Sequence, residues 1–512
     1  MNLYHVKLDK LRASEKGTRY FYRVELDGGQ SLSASFATLG TNPGATKIVT
    51  VSDSHIFATR PKFDAAVKAV DPAFIVHTGD IVEGTGAQTD QFTFWFKAKQ
   101  DNDFIHSYPV VYSAGNHDQG GDYANAYVYN LQDAEYGGKV RGNSSFDYAG
   151  LHLVLMNSNP WGLFLVNSEA SGKKADPETI KTIDDTLAWL KSDLAGDKAK
   201  SAAFRMLTLH HPSTEVYTKR FIVPVAEANK VDLMIGGHWH SFSRQVSDNP
   251  EVGAATVHMT QQDSRILSKK GGYIVIELDA ASGLMMVKNH ASETAELLGS
   301  TSIARDKQQL SWSNVSVSPA EILSNGTVTV SAVVKNEGKG LAAAVLPIED
   351  NGAKRYLYEI NGAVTLLEPG KSATLKGELP IAELGKHALT VAGATTEVNV
   401  LFRKATFEYA KLRTRLGDGP VSDVKHNTLF VKADVRNIGN EPGVASADLV
   451  IDGKTIASKK YSLQAGEIKT VEFKHVFDQA GTYKVAIGNA KPEDVFIDGA
   501  IRGVPIVKDK SG

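Results

Sequence analysis

The sequence predicts a multidomain chain whose largest part is a mixed α+β layer structure, followed by all-β modules. Three observations carry this. At roughly 150 residues per domain, 512 residues suggest about three or four domains. From Lys47 to about His290, short apolar strands alternate with helical segments. Beyond Leu310 the helical signal vanishes and two similar strand-rich units follow. Lys and Arg number 56 against 58 Asp and Glu, a net charge of −2, so no global field recruits nucleic acid or anionic lipid. The hydrophobic fraction of 42% becomes roughly 48% with glycine counted in and tyrosine out, within the band of folded globular chains. Cysteine is absent, which removes disulfides, thiolate zinc sites, iron–sulfur clusters and cysteine nucleophiles; any metal must be held by nitrogen and oxygen.

At the N-terminus, Tyr4–Leu8, Arg19–Leu26 and Leu32–Thr38 read as strands, with a turn at Gly28-Gly29. Helices are expected at Arg60–Ala69, Thr89–Lys99 and Glu178–Leu194. The third has Asp176 as N-cap, Pro177 at the first helical position, and Ile180, Ile183, Leu187 and Leu190 at helical spacing. A polar segment, Ser292–Gln309, closes this part without strong periodicity. In the two units that follow, Asn336-Glu337-Gly338 after one strand recurs as Asn437-Ile438-Gly439 after another, and the turn at Pro369-Gly370 recurs at Ala465-Gly466. Two such copies predict tandem β-sandwiches rather than a solenoid.

Five polar clusters each follow an apolar strand: Asp53-Ser54-His55 after Ile48–Val51, Gly79-Asp80 after Phe74–Val76, Gly115-Asn116-His117-Asp118 after Pro109–Tyr112, His210-His211 after Met206–Leu209, and Gly237-His238-Trp239-His240 after Leu233–Ile235. The carboxyl ends of strands in open α/β sheets border the binding crevice, so five such ends can converge. Carboxylate, imidazole and amide together suit divalent or trivalent first-row ions.

This order of motifs resembles a calcineurin-like metallophosphoesterase over about residues 44–290. With a lead that resembles the late strands of a fibronectin type III sandwich, Tyr20 standing as its corner tyrosine, the nearest likeness is to the purple acid phosphatases. The two C-terminal units resemble the cell-adhesion-related immunoglobulin-like domain of bacterial surface proteins, on their V-x-N-x-G and L-x-x-G signatures. The resemblance implies a two-sheet β-sandwich flanked by helices at 43–305, a partial fibronectin-like segment at 1–42, immunoglobulin-like sandwiches at 306–402 and 403–502, and a tail at 503–512. Asp53, His55 and His240 would then hold one metal, Asn116, His210 and His238 the second, and Asp80 would bridge them. His117 would be a non-ligand acid or charge stabiliser, with Asp118 as its orienting partner. Two transition-metal ions are implied, with Mn, Fe, Zn and Co all open. Two cations about 3.5–4 Å apart can make a bridging water a hydroxide nucleophile near neutral pH and clamp the phosphate oxygens.

Where the purple enzymes carry an iron-ligating Tyr three residues after the bridging Asp, this sequence has Glu83, which puts their mixed-valence iron in doubt. His211 and His77 read as packing residues behind the ligands or at the rim. Trp161, Trp239, Tyr123, Tyr127 and Tyr129 could wall a cleft or merely pack. His5, His387, His426 and His475 read as ordinary surface or strand residues. The expected activity is phosphate-ester hydrolysis, monoesters favoured; a phosphodiesterase acting on nucleotides or phospholipid head groups, or an adhesion protein with a vestigial catalytic domain, are the alternatives. The partner is a phosphate-ester substrate, with contact to a cell surface or polymer through the C-terminal modules. No nucleic-acid-binding patch and no transmembrane run is evident. Met1–Lys10 lacks the basic start and apolar stretch of a signal peptide. The expected location is periplasmic or secreted, with an export signal lost upstream of Met1.

Overall fold

The computed structural model describes residues 6, 8–29, 31–55, 61–83, 103–118, 142–246, 256–262, 271–305, 309–357, 365–401, 405–417, 427–439 and 442–497. The lead is a hairpin of β1 (Arg19–Glu25) and β2 (Ser31–Ala37), in register from Arg19↔Ala37 to Glu25↔Ser31. Tyr20 behaves as a corner tyrosine: its hydroxyl accepts the Arg12 N–H at 2.6 Å and lies 3.2 Å from the Arg12 carbonyl oxygen. The strand expected at Tyr4–Leu8 falls almost wholly outside the described residues.

Twelve strands then form two facing six-stranded sheets. The strands are β3 (Thr46–Val51), β4 (Phe74–His77), β5 (Val110–Tyr112), β6 (Ser144–Tyr148), β7 (Leu151–Leu155), β8 (Phe204–Thr208), β9 (Leu233–Gly236), β10 (Ser243–Val246), β11 (Val257–Thr260), β12 (Gly272–Asp279), β13 (Leu284–Ala291) and β14 (Leu297–Ala304). One sheet runs β14-β13-β12-β3-β4-β5 and the other β10-β11-β9-β8-β7-β6. Within them β3, β4 and β5 are mutually parallel, as are β7, β8, β9 and β11.

Strand alternation sorts the apolar residues into two layers. Ile48, Phe74 and Val76 meet Leu153, Met206, Leu233 and Ile235 between the sheets. Val49, Val51 and Ile75 face outward onto Phe63 and Val67 of α1 (Pro61–Val70) and onto Phe104. Both faces are covered, which is why these strands read as continuous apolar runs. On the other side α2 (Pro177–Leu194) lays Ile180, Ile183, Leu190 and Leu194 over Val154, Leu207 and Met234. Its N-cap is Asp176, whose carboxylate accepts the Thr179 N–H at 2.9 Å. The helix expected at Thr89–Lys99 lies outside the described residues. Among the described residues no helix is long and apolar enough to cross a membrane.

One expectation is corrected here. Ser292–Gln309, read as an irregular polar closure, contains β14, which pairs antiparallel with β13 from Leu284↔Ala304 to His290↔Leu297. Ladder hydrogen bonds make this strand. Two leucines, then small and polar residues up to Ile303, carry no alternation, so pattern reading passes it over.

The C-terminal half is two β-sandwiches. In the first, strands 310–318, 326–336 and 372–381 face a five-stranded sheet; in the second, strands 407–416, 428–437 and 468–476 face a four-stranded one. The repeated Asn-x-Gly has a structural cause. Asn336 and Asn437 are both fully buried, and their side-chain oxygens accept the N–H of Gly338 (2.9 Å) and Gly439 (3.0 Å). Their amide groups donate to the carbonyls of Leu367 (2.8 Å) and Leu463 (3.1 Å). The same polar staple closes each sandwich.

Both modules touch the first domain. Arg244 on β10 donates to Thr301 Oγ1 (2.6 Å) and to Glu368 Oε1 of the first sandwich (2.8 Å). Phe496 of the second sandwich packs edge-on against Tyr217, ring centroids 6.0 Å apart, on α3 (Val216–Phe221).

Candidate metal centre

The five polar clusters occupy the C-terminal ends of β3, β4, β5, β8 and β9. Because these strands are parallel neighbours within their sheets, their ends gather at one rim. The chain there is strained. Asp53, His55, Asp80, His238 and His240 have φ of 49°, 50°, 57°, 72° and 53°, a left-handed region that costs a non-glycine residue about 1–3 kcal/mol. Backbone bonds between loops hold these conformations: Asp53 N–H to Gly79 O (2.9 Å), His55 N–H to Asp80 O (3.0 Å) and Gly237 N–H to His210 O (2.8 Å). Gly79 and Gly115 sit back to back. A Cβ on Gly79 would lie 2.7 Å from Gly115 Cα, and one on Gly115 would lie 2.1 Å from Asp80 N, so no side chain fits between these loops.

Three groups of side chains offer converging ligand atoms: Asp53, His55 and His240; His55, Asp80 and His117; and Asp80, His210 and His238. His240 Nε2 lies 3.3 Å from Asp53 Oδ1 and 3.3 Å from His55 Nε2. His210 Nε2 lies 3.1 Å from Asp80 Oδ2 and 2.9 Å from Asn116 Oδ1, while its Nδ1 is 2.9 Å from the Thr78 carbonyl. All seven residues expected as ligands thus stand at one rim.

Among the described residues, the cationic groups that balance the buried carboxylates are imidazoles. Burial would raise the Asp53 and Asp80 carboxyls, but histidine partners hold both below the ordinary range, His240 bonding Asp53 and the His210 charge acting on Asp80. Burial pulls His210 down, and Asp80 outweighs it, lifting this imidazole to about 9. His238 is pushed down to about 4 by burial and then by the His210 charge. Among the described residues no Lys or Arg pairs with Asp53 or Asp80. Nitrogen and oxygen donors around two buried carboxylates, with neighbouring imidazole nitrogens facing each other, fit divalent metal ions.

Asp118 does not orient His117. Its buried carboxylate accepts the N–H groups of Asp80 (2.9 Å), Ile81 (2.8 Å) and Gly115 (2.9 Å). It turns down into the loops because three N–H donors meet there, and so it clamps the β4 and β5 loops together. His117 directs Nδ1 to the Glu83 carbonyl oxygen instead, and its own N–H donates to Asp80 Oδ1 at 2.8 Å.

His211 is buried rather than at the rim. Its Nδ1 meets Ser158 Oγ at 2.8 Å, and its ring lies 4.7 Å from that of His238. His77 is a pin, with Nε2 2.9 Å from Ser54 Oγ and Nδ1 accepting the Gly79 N–H at 3.1 Å. Trp161 is core, its Nε1 donating to Thr218 Oγ1. Trp239 is 53% exposed beside His238. His387 is not a surface residue: it is buried between Asp350 Oδ1 (2.7 Å) and the Glu383 carbonyl (2.8 Å). Tyr123, Tyr127, Tyr129, His5 and His426 lie outside the described residues.

Sequence reading misses two carboxylates. Glu83 Oε2 lies 3.0 Å from His55 Nδ1, and Glu215 Oε1 lies 3.7 Å from His238 Nε2. Glu83 is visible in the sequence only as a departure from a tyrosine. Nothing in the spacing of Glu215 signals its approach.

Fold and site together define a metal-dependent phosphoesterase. Residues 46–242 match the family model of the calcineurin-like phosphoesterases, and this part of the chain is a domain of that family. No curated protein matches the chain. Solved structures similar to it include GAP50, the anchor in the inner membrane complex of Plasmodium (14% identity, 52% of this chain and 90% of that one, TM-score 0.36). Others are a predicted phosphoesterase of Streptococcus pneumoniae (10%, 51% and 98%, 0.25) and PhoD (9%, 69% and 80%, 0.39). At these scores the likenesses carry no argument, and the assignment rests on the family match and the site.

Proposed function

We propose that the chain hydrolyses phosphate esters at a two-ion centre and prefers monoesters. The observation that supports this best is the Asp80 carboxylate, which belongs to two of the three converging ligand groups, one with His55 and His117 and the other with His210 and His238. Asp53, His55 and His240 would hold one ion, and Asn116, His210 and His238 the other, with Asp80 shared. Bound ions supply Lewis acidity, neutralising phosphate charge and making water a stronger nucleophile.

The chain's own groups do the rest. His117, with Nδ1 engaged by the Glu83 carbonyl, keeps Nε2 for the proton that the leaving oxygen needs. Asp118 fixes the spacing of the Asp80 and Asn116 loops. Trp239, exposed beside His238, offers an aromatic face to the ester's organic group. The conjunction of this domain with tandem sandwiches favours a periplasmic or secreted setting, which cell fractionation tests.

The test of the activity is turnover by the full chain loaded in turn with Mn2+, Zn2+ and Co2+. p-Nitrophenyl phosphate should be cleaved faster than bis-p-nitrophenyl phosphate. The reverse order would make the enzyme a diesterase, and no turnover of either with both ions bound would overturn the reading.

A further inference from the structure

One residue holds two site histidines that come from different loops. Glu83 ends the loop Gly79-Asp80-Ile81-Val82-Glu83, whose shape is fixed from below by Asp118 and by the buried Ile81 and Val82. Its carboxylate Oε2 lies 3.0 Å from His55 Nδ1, and the Val82 carbonyl oxygen lies 3.2 Å from the same nitrogen. Its own carbonyl oxygen faces His117 Nδ1. A carbonyl oxygen and an ionised carboxylate can only accept hydrogen bonds, so Nδ1 is the protonated nitrogen in both rings. In His55 the Nε2 lone pair is therefore the one turned toward the other ligand atoms. In His55 that nitrogen faces His240 Nε2 at 3.3 Å, inside the group that also contains Asp53.

We propose that Glu83 is a positioning residue for the metal centre: its carboxylate fixes His55 as the Nδ1–H tautomer and strengthens Nε2 as a donor to a divalent ion. A carboxylate behind a ligating imidazole orients the ring and pushes electron density through it, and losing such a partner typically weakens metal binding about 10–100-fold. Among the site histidines, the carboxylate lies against His55. The hold on His117 is made by backbone and survives any substitution at 83. The effect should consequently fall on one of the two ion sites, the one that Asp53, His55 and His240 would form. This rests on the reading of those three residues as ligands.

The experiment is titration of Co2+ into the metal-free full chain, followed by calorimetry and by the d–d absorption of the bound ion. Glu83→Ala should weaken one of two binding events about 10–100-fold and leave the other at wild-type affinity. Glu83→Gln keeps an acceptor oxygen and loses the charge, so it should weaken the same event less and shift its d–d band. His240→Ala serves as the control and should abolish that event. Wild-type affinity and an unshifted band in Glu83→Gln would overturn the proposal, whether or not Glu83→Ala folds. Retention of both binding events in His240→Ala would instead overturn the ligand assignment beneath it.

Discussion

Buried polar side chains end strands in two parts of this molecule, and they are satisfied in opposite ways. Asn336 and Asn437 close the C-terminal sandwiches by bonds to backbone: each side-chain oxygen takes an N–H two residues on, and each amide reaches a carbonyl across the turn. Nothing is left pointing at empty space. At the rim of the catalytic domain, Asp53, Asp80, His55, His210 and His240 direct their donor atoms at one another, all but His210 in backbone conformations that side chains rarely adopt. The first arrangement stabilises a fold by itself. The second is costly alone, and a cation is what turns it to advantage. Burial of polar groups is common to both regions; what marks a ligand site is donor atoms converging on a shared point.

The contrast is most directly broken at Asp80. Asparagine tolerates the left-handed backbone, so Asp80→Asn should fold, yet lose at least one ion and nearly all turnover, read by elemental analysis and by release of p-nitrophenol. Full metal content with full activity would mean that the carboxylate is not shared. His117→Ala should slow turnover about 10²–10⁴-fold, as expected for a lost general acid, with metal content intact. A metal-free His117→Ala protein would place that imidazole among the ligands.

Asn336→Ala tests the opposite pole. It leaves the Leu367 and Gly340 carbonyls and the Gly338 N–H without their partner, and should cost the first sandwich about 2–4 kcal/mol. Denaturant melts would show this while turnover per folded molecule stays near wild type.

His152 sharpens the comparison with the smallest effect. It is a buried imidazole between two carboxylates, Nδ1 2.8 Å from Asp147 Oδ1 and Nε2 2.9 Å from Asp193 Oδ2, so the ligand types are those of the metal centre. Both nitrogens are already capped, and no ion should bind there. Burial pulls its pKa down, but the Asp193 and Asp147 bonds prevail and raise it above the ordinary 6.5. The stabilisation is therefore complete below pH 6.5 and is lost as pH rises through the raised value. Wild type and His152→Gln should converge in stability toward alkaline pH. A difference that grows with pH would reverse the sign assigned to the pair.

The ligand residues were legible because each follows directly on an apolar strand: strand pattern and polar end are neighbours in sequence, and parallel pairing does the gathering. Asp118 adjoins His117 in the chain, but its partner is decided by how closely the Gly79 and Gly115 loops approach, a distance no spacing records. Glu83 and Glu215 escape for the same reason. The Asn336 and Asn437 repeat was visible as a pattern, while its cause, a staple across a turn, required the fold. β14 was hidden because its residues show no alternation. The docking of Phe496 on Tyr217 joins residues far apart in sequence, each in a stretch that reads as self-contained.

The place of β12 in its sheet bears on how the protein is made. β12 lies between β13 and β3, pairing with β3 from Ile274↔Thr50 to Leu278↔Thr46. A ribosome delivers β3 more than two hundred residues before the strand that covers its edge, which at about 5–20 residues per second is roughly 10–50 s of synthesis. Throughout that interval Ile48, Val49 and Val51 border an unpaired ladder, the kind of edge that recruits strands from other chains. The nascent polypeptide thus passes through a window of vulnerability set by topology. Slower translation lengthens that window, and a holding chaperone on the ribosome would shield it.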